Sequence, residues 1–185
     1  SGTRIKLLTS DEYDADIDTE TMTNGTVNFD LTMVTGATYY QATTLTWGAT
    51  HYLTASVFSG VSLSTSTSSG VLVEPSTATK LQILLPGQHP VPGKVATYGK
   101  GGSISSLVAG TTYTVTVNLV DDYYNFQSSA TMPLVEVKTT DDEAGRSTLW
   151  GYTPPELPLV NGIRTFDIRM FRSGSQVRVP VVSMV

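Results

Sequence analysis

The densest run of reactive groups lies near the amino terminus. Asp11-Glu12-Tyr13-Asp14-Ala15-Asp16-Ile17-Asp18-Thr19-Glu20 holds six carboxylates. Asp14, Asp16 and Asp18 have the alternate spacing with which a calcium loop offers hard oxygen ligands. A helix–loop–helix calcium site would also need a glycine after the third acid and a glutamate at the end of the loop. Thr19 and Gly25 stand at those positions, so that site is rejected. A looser calcium cage stays open beside the plainer reading of a solvated or partner-facing acidic segment. His51 and His89 are the only histidines, and there is no cysteine. Disulfides, thiolate metal sites and cysteine nucleophiles are therefore excluded, and little remains for general-base or zinc chemistry. Gly99-Lys100-Gly101-Gly102-Ser103 carries glycines like a phosphate loop. It lacks the hydroxyl residue after the lysine and the upstream glycine, so it reads as a turn. Lys80 is a conceivable donor for a lysine–asparagine isopeptide staple, but residues 175–185 contain no Asn or Asp to receive it. No catalytic constellation emerges. The chain is not expected to be an enzyme, and apart from calcium no cofactor is expected.

Other residues suit binding better than catalysis. Trp150 and Tyr152 stand among prolines in residues 149–159, where amphipathic aromatics suit an interface or sugar stacking, or fold back as a cap. Asn24-Gly25-Thr26 is the only N-glycosylation sequon, and the hydroxyl-dense residues 62–69 could carry O-linked sugars. Net charge is −5 with an isoelectric point near 4.8, which argues against nucleic acid as a partner. No apolar run approaches the roughly 18–20 residues that span a bilayer, and residues 1–4 lead into a strand-like run rather than a signal-peptide core.

The elements that must position these groups are strands. Ser and Thr supply 48 of 185 residues against only 15% charged residues, a balance that favours short strands joined by many turns. Residues 112–120 alternate strictly, with Tyr113, Val115, Val117 and Leu119 on one face. Residues 80–85, 134–138 and 176–181 are similar, and Asn-Gly and Pro-Gly steps punctuate them. No amphipathic helix of useful length is found. The fold class is all-β.

Two stretches repeat. Residues 5–12 align with 135–142, and residues 24–33 align with 161–170, where five of ten positions are identical. The second alignment predicts that Phe29 with Leu31 and Phe166 with Ile168 face inward at equivalent positions, beside Val115 and Val117. Two related domains follow, 1–76 and 77–185, meeting near Pro75.

Ala78-Thr79-Lys80-Leu81-Gln82-Ile83-Leu84-Leu85-Pro86-Gly87 resembles the first strand of bacterial immunoglobulin-like repeats of secreted and surface proteins. Residues 109–117, followed by Val120-Asp121, are similar to the second core strand of those repeats, residues 139–142 and 161–168 look like the third strand's end and a later strand, and residues 69–75 resemble their closing strand. The likeness spans most of residues 50–185, with residues 149–159 as an insertion. It implies two tandem antiparallel immunoglobulin-like β-sandwiches and an extracellular or cell-surface location. The first copy lacks opening strands and the second a closing one. Such an open sandwich would be completed by a strand from a neighbouring chain, although an excerpt of a longer repeat array would look the same. The expected function is a structural subunit of a filament or array, polymerising head-to-tail with itself. The alternative is an adhesion or carbohydrate-binding module of a larger secreted protein, with glycans as partners. The expected donor is residues 1–9, with Ile5 and Leu7 filling the groove. Arg164, Arg169, Arg172 and Arg178 near the carboxyl terminus would steer towards the acidic residues 11–20.

Overall fold

A computed structural model describes residues 2–15, 19–40, 44–128, 131–138, 156–171 and 181–184. Among them every regular element is a β-strand except one short 3₁₀ turn, Val95–Thr97. The first eight strands are β1 (Arg4–Thr9), β2 (Thr19–Thr21), β3 (Ala37–Tyr40), β4 (Thr44–Trp47), β5 (Ala49–His51), β6 (Leu53–Ser59), β7 (Ser66–Thr67) and β8 (Val71–Val73). They form three antiparallel sheets, ordered β2-β1-β6-β7, β3-β4 and β5-β8. Residues 74–79 belong to no strand. Beyond them come β9 (Lys80–Leu84), β10 (Gln88–Pro90), β11 (Lys100–Gly102), β12 (Thr112–Val120), β13 (Leu134–Lys138), β14 (Leu157–Pro158), β15 (Ile163–Arg169) and β16 (Val181–Met184). Their sheets are β15-β12-β9, β14-β13-β16 and β10-β11. Among the described residues no sheet crosses residues 74–79. The molecule is all-β, and its several antiparallel sheets are consistent with sandwich packing.

Period-two patterning does most of the positioning. The inward row of β12 (Val115, Val117 and Leu119) meets Val135 and Val137 of β13 and Phe166 and Ile168 of β15. Leu85, Leu159 and Met170 complete one buried cluster. The repeated segments also match in sheet order. β1 lies between β2 and β6, and β13 lies between β14 and β16. Asn24-Gly25 and Asn161-Gly162 make the same tight turn, with φ of 51° and 79° in the first and 49° and 79° in the second. Two positive φ angles in succession define the mirror-image hairpin turn that Asn-Gly favours. Reciprocal bonds close each turn, Thr23 with Thr26 and Val160 with Ile163.

After the turns the copies diverge. Phe166 and Ile168 are buried, but Phe29 and Leu31 are only half-buried, and residues 27–36 form no strand. The predicted equivalence of these inward positions is therefore corrected. The physical reason is the neighbour. β15 is paired along its length by β12, from Thr112 opposite Arg169 to Asn118 opposite Ile163. Among the described residues nothing pairs residues 27–33.

Candidate functional site

Residues 26–36 form one continuous segment with two contrasting parts. In the first part, Val27, Phe29, Leu31 and Met33 are half-buried while Asn28, Asp30 and Thr32 are exposed. That alternation is what a strand produces. Even so, the backbone groups of residues 27–33 take no hydrogen-bond partner among the described residues. Unpaired strand-like backbone beside a row of apolar side chains is a ready template for another strand.

The second part, residues 34–36, is held at every backbone polar group. Asp11 Oδ2 accepts from the amides of Val34 at 2.7 Å and Thr35 at 2.8 Å. Asn125 Nδ2 donates to Val34 O at 2.7 Å, and Asn125 Oδ1 accepts from Gly36 N at 2.8 Å. His51 Nε2 lies 2.7 Å from Thr35 O and serves as its donor, and Gly48 N donates to Gly36 O. Asn125 is bound in turn to Asp121, whose Oδ1 accepts from Asn125 N at 2.9 Å and whose Oδ2 accepts from Asn125 Nδ2 at 3.0 Å. Asp121 Oδ2 also accepts from Ser76 N. Asp11, Asp121, Asn125 and His51 are all buried, and buried polar groups satisfied this fully rigidify what they touch. The junction thus ties the amino-terminal sheets to the carboxyl-terminal ones through side chains, where no β-ladder does so. There is no room for more atoms. A Cβ on Gly36 would meet the Glu74 carbonyl at 2.7 Å, and one on Gly93 would meet Thr35 Oγ1 at 2.2 Å.

Asp11 and Asp121 are built alike. Each follows an alternating strand and is succeeded by an acid and a tyrosine, and each accepts from the amide two residues on, Tyr13 N at 3.1 Å and Tyr123 N at 2.9 Å. Burial alone would raise the Asp11 carboxyl. The hydrogen bonds from Thr35, Tyr13 and Val34 outweigh it and hold the group below its ordinary 3.8. Asp11 is thus a structural acceptor rather than one of a set of metal ligands, which reading the acidic run as a block missed. The signal was available, because the strand–Asp–acid–Tyr pattern occurs twice.

The other candidates fall as follows. Asp14 accepts a hydrogen bond from Thr9 Oγ1, while Asp16 and Asp18 lie outside the described residues. No group of three or more His, Asp or Glu able to hold a metal occurs among the described residues. Ser10 Oγ lies 3.4 Å from His51 Nδ1, but it also accepts from Tyr52 N, so the pair acts as a tie. Lys100 begins β11, so residues 100–102 of the segment expected to be a turn form a strand paired with β10, and burial pushes the lysine's amine down. Lys80 Nζ pairs with Asp122 at 3.1 Å. Asn24 is exposed on its turn. Trp150, Tyr152, Arg172 and Arg178 lie outside the described residues. Arg164 stands opposite Val117, and Arg169 donates to Thr112 Oγ1 at 3.1 and 3.2 Å. Ile5 and Leu7 stand in β1, which pairs with β6 from Arg4 to Thr9 and with β2 from Arg4 to Lys6 within the same chain.

No family model, curated protein or solved structure matches the chain. Among the described residues no helix is long and apolar enough to cross a membrane.

Proposed function

We propose that this chain is a structural subunit of an extracellular or cell-surface filament or array, built from tandem immunoglobulin-like sandwiches and joined head-to-tail by β-strand complementation. One observation carries the reading, the uneven burial of apolar side chains. Among the described residues the buried cluster draws only on residues after position 77. In the amino-terminal part Trp47, Tyr52, Phe58, Val61, Leu63 and Leu72 are exposed. Exposed apolar side chains occur after position 77 as well, Val95, Tyr98, Ile104 and Val108 among them, so the missing buried cluster is what sets the amino-terminal part apart, and a strand added to an open sheet edge would supply apolar contacts there. Charge supports a directional contact. Residues 11–20 hold six of 16 acids, and residues 164–185 hold four of six arginines. A head-to-tail contact of this kind propagates unless it closes into a ring. The exposed sequon turn and the sequence resemblance favour a location outside the cell.

Electron microscopy with sedimentation velocity over a concentration series tests the proposal. Elongated particles that grow with concentration are expected. A chain that stays monomeric at high concentration would overturn the reading and place the adhesion or carbohydrate-binding module first.

A further inference from the structure

We infer that residues 26–33 are the acceptor edge of that assembly. They would take, antiparallel, an extended strand from a second copy of this chain that carries a hydroxyl residue opposite Asp30 and apolar residues opposite Val27, Phe29 and Leu31. The inference rests on the filament reading and adds the edge and the chemistry of its occupant.

The internal repeat supplies the template. Asp30 corresponds to Asp167, and in β15 Asp167 stands opposite Thr114, whose hydroxyl donates to its carboxylate at 2.7 Å. Phe29 corresponds to Phe166, opposite Val115, and Leu31 to Ile168, opposite Tyr113. The same Asn-Gly turn launches both segments. The amino-terminal copy therefore keeps the turn, the apolar row and the carboxylate that β12 engages in the other copy, without a strand to engage. Two features favour a second copy of this chain as the occupant. Asp11, the first of the six acids in residues 11–20, accepts from the amides of Val34 and Thr35 at the end of the edge, and the arginines concentrate at the opposite end of the sequence. Opposite ends of identical chains thus attract while like ends repel.

The experiment is hydrogen–deuterium exchange on dispersed and assembled chain, with variants. Amides of residues 27–33 should exchange freely in the dispersed chain and slow by roughly tenfold or more on assembly. Asp30→Lys, Asp30→Pro and Leu31→Pro should raise the concentration needed for assembly by roughly tenfold or more. The dispersed Asp30 variants should keep the parent's melting midpoint, because Asp30 is exposed and makes no backbone bond among the described residues. A synthetic peptide of residues 111–120 should cap growth, and its Thr114→Val form should cap it less well. Assembled chain whose residues 27–33 exchange as fast as before, or proline variants that assemble normally, would overturn this edge while leaving the filament reading intact. A chain that never assembles would overturn the filament reading itself. If such a monomer still bound the peptide with residues 27–33 protected, the second-copy assignment would fall and a foreign strand would take its place.

Discussion

Residues 163–170 and residues 26–33 share a launching turn, a phenylalanine, an aspartate and a methionine, yet they live in different surroundings. In the carboxyl-terminal copy β12 lies alongside, Phe166 and Ile168 are sealed beneath it, and the segment is a strand. In the amino-terminal copy nothing lies alongside among the described residues, Phe29 and Leu31 are half-buried, and the segment belongs to no strand. Side-chain pattern sets which face a segment would bury. Whether the face is buried depends on a partner, one distant in sequence or one in another molecule.

That contrast can be broken by substitution. Phe166→Ala should destabilise the chain by about 3–5 kcal/mol, the usual cost of emptying a sealed aromatic site. Phe29→Ala in dispersed chain should cost on the order of 1 kcal/mol, since its surface is already partly wet. Urea denaturation of the two variants compares them directly, and equal losses would erase the distinction between the copies. Asn125→Ala should cost on the order of 1–3 kcal/mol for each backbone group it strands. Exchange should speed up at residues 34–36 without matching change in β12. Gly36→Ala should cost about 1–3 kcal/mol by pushing its new methyl against Glu74, read as a lowered thermal midpoint.

The Asp11 carboxylate gives a smaller, pH-dependent effect. Its folded value lies below the ordinary 3.8, so its contribution is full above that value and fades as pH falls through the lowered one. Urea midpoints taken from about pH 5 to about pH 3 should fall for the parent and converge on those of Asp11→Asn. Smallest of all, Asp122→Asn should leave the midpoint where it was. Asp122 pairs with Lys80 in full solvent, where an ion pair contributes little.

The fold class was legible because hydroxyl-rich alternation in residues 112–120 and the punctuating glycines admit few other readings. The repeat was legible too, through its Asn-Gly turns. The pairing of β1 was not, because its second neighbour, β6, begins more than forty residues later and nothing local marks it. The junction escaped for another reason. Asp11 sits among five other acids that resemble it in sequence, and only three-dimensional closure distinguishes the one turned inward towards residues 34–36. Asn125 was invisible as a contact because its bonds to Val34 and Gly36 span 91 and 89 positions.

The fully bonded residues 34–36 directly follow residues 27–33, unpaired among the described residues, and this adjacency has a mechanical meaning. A tensile load entering through a strand laid along residues 26–33 would reach the clamp formed by Asp11, Asn125 and His51 within one or two residues. From there it would pass through Asp121 into the closely packed sheets, alongside the peptide connection at residues 74–79, which is itself tied to Asp121 and Gln127 at Ser76. Several hydrogen bonds loaded side by side share a pull that a single one would carry alone. In a fibre, the clamp and the connection would act as two parallel ties between the halves of each subunit.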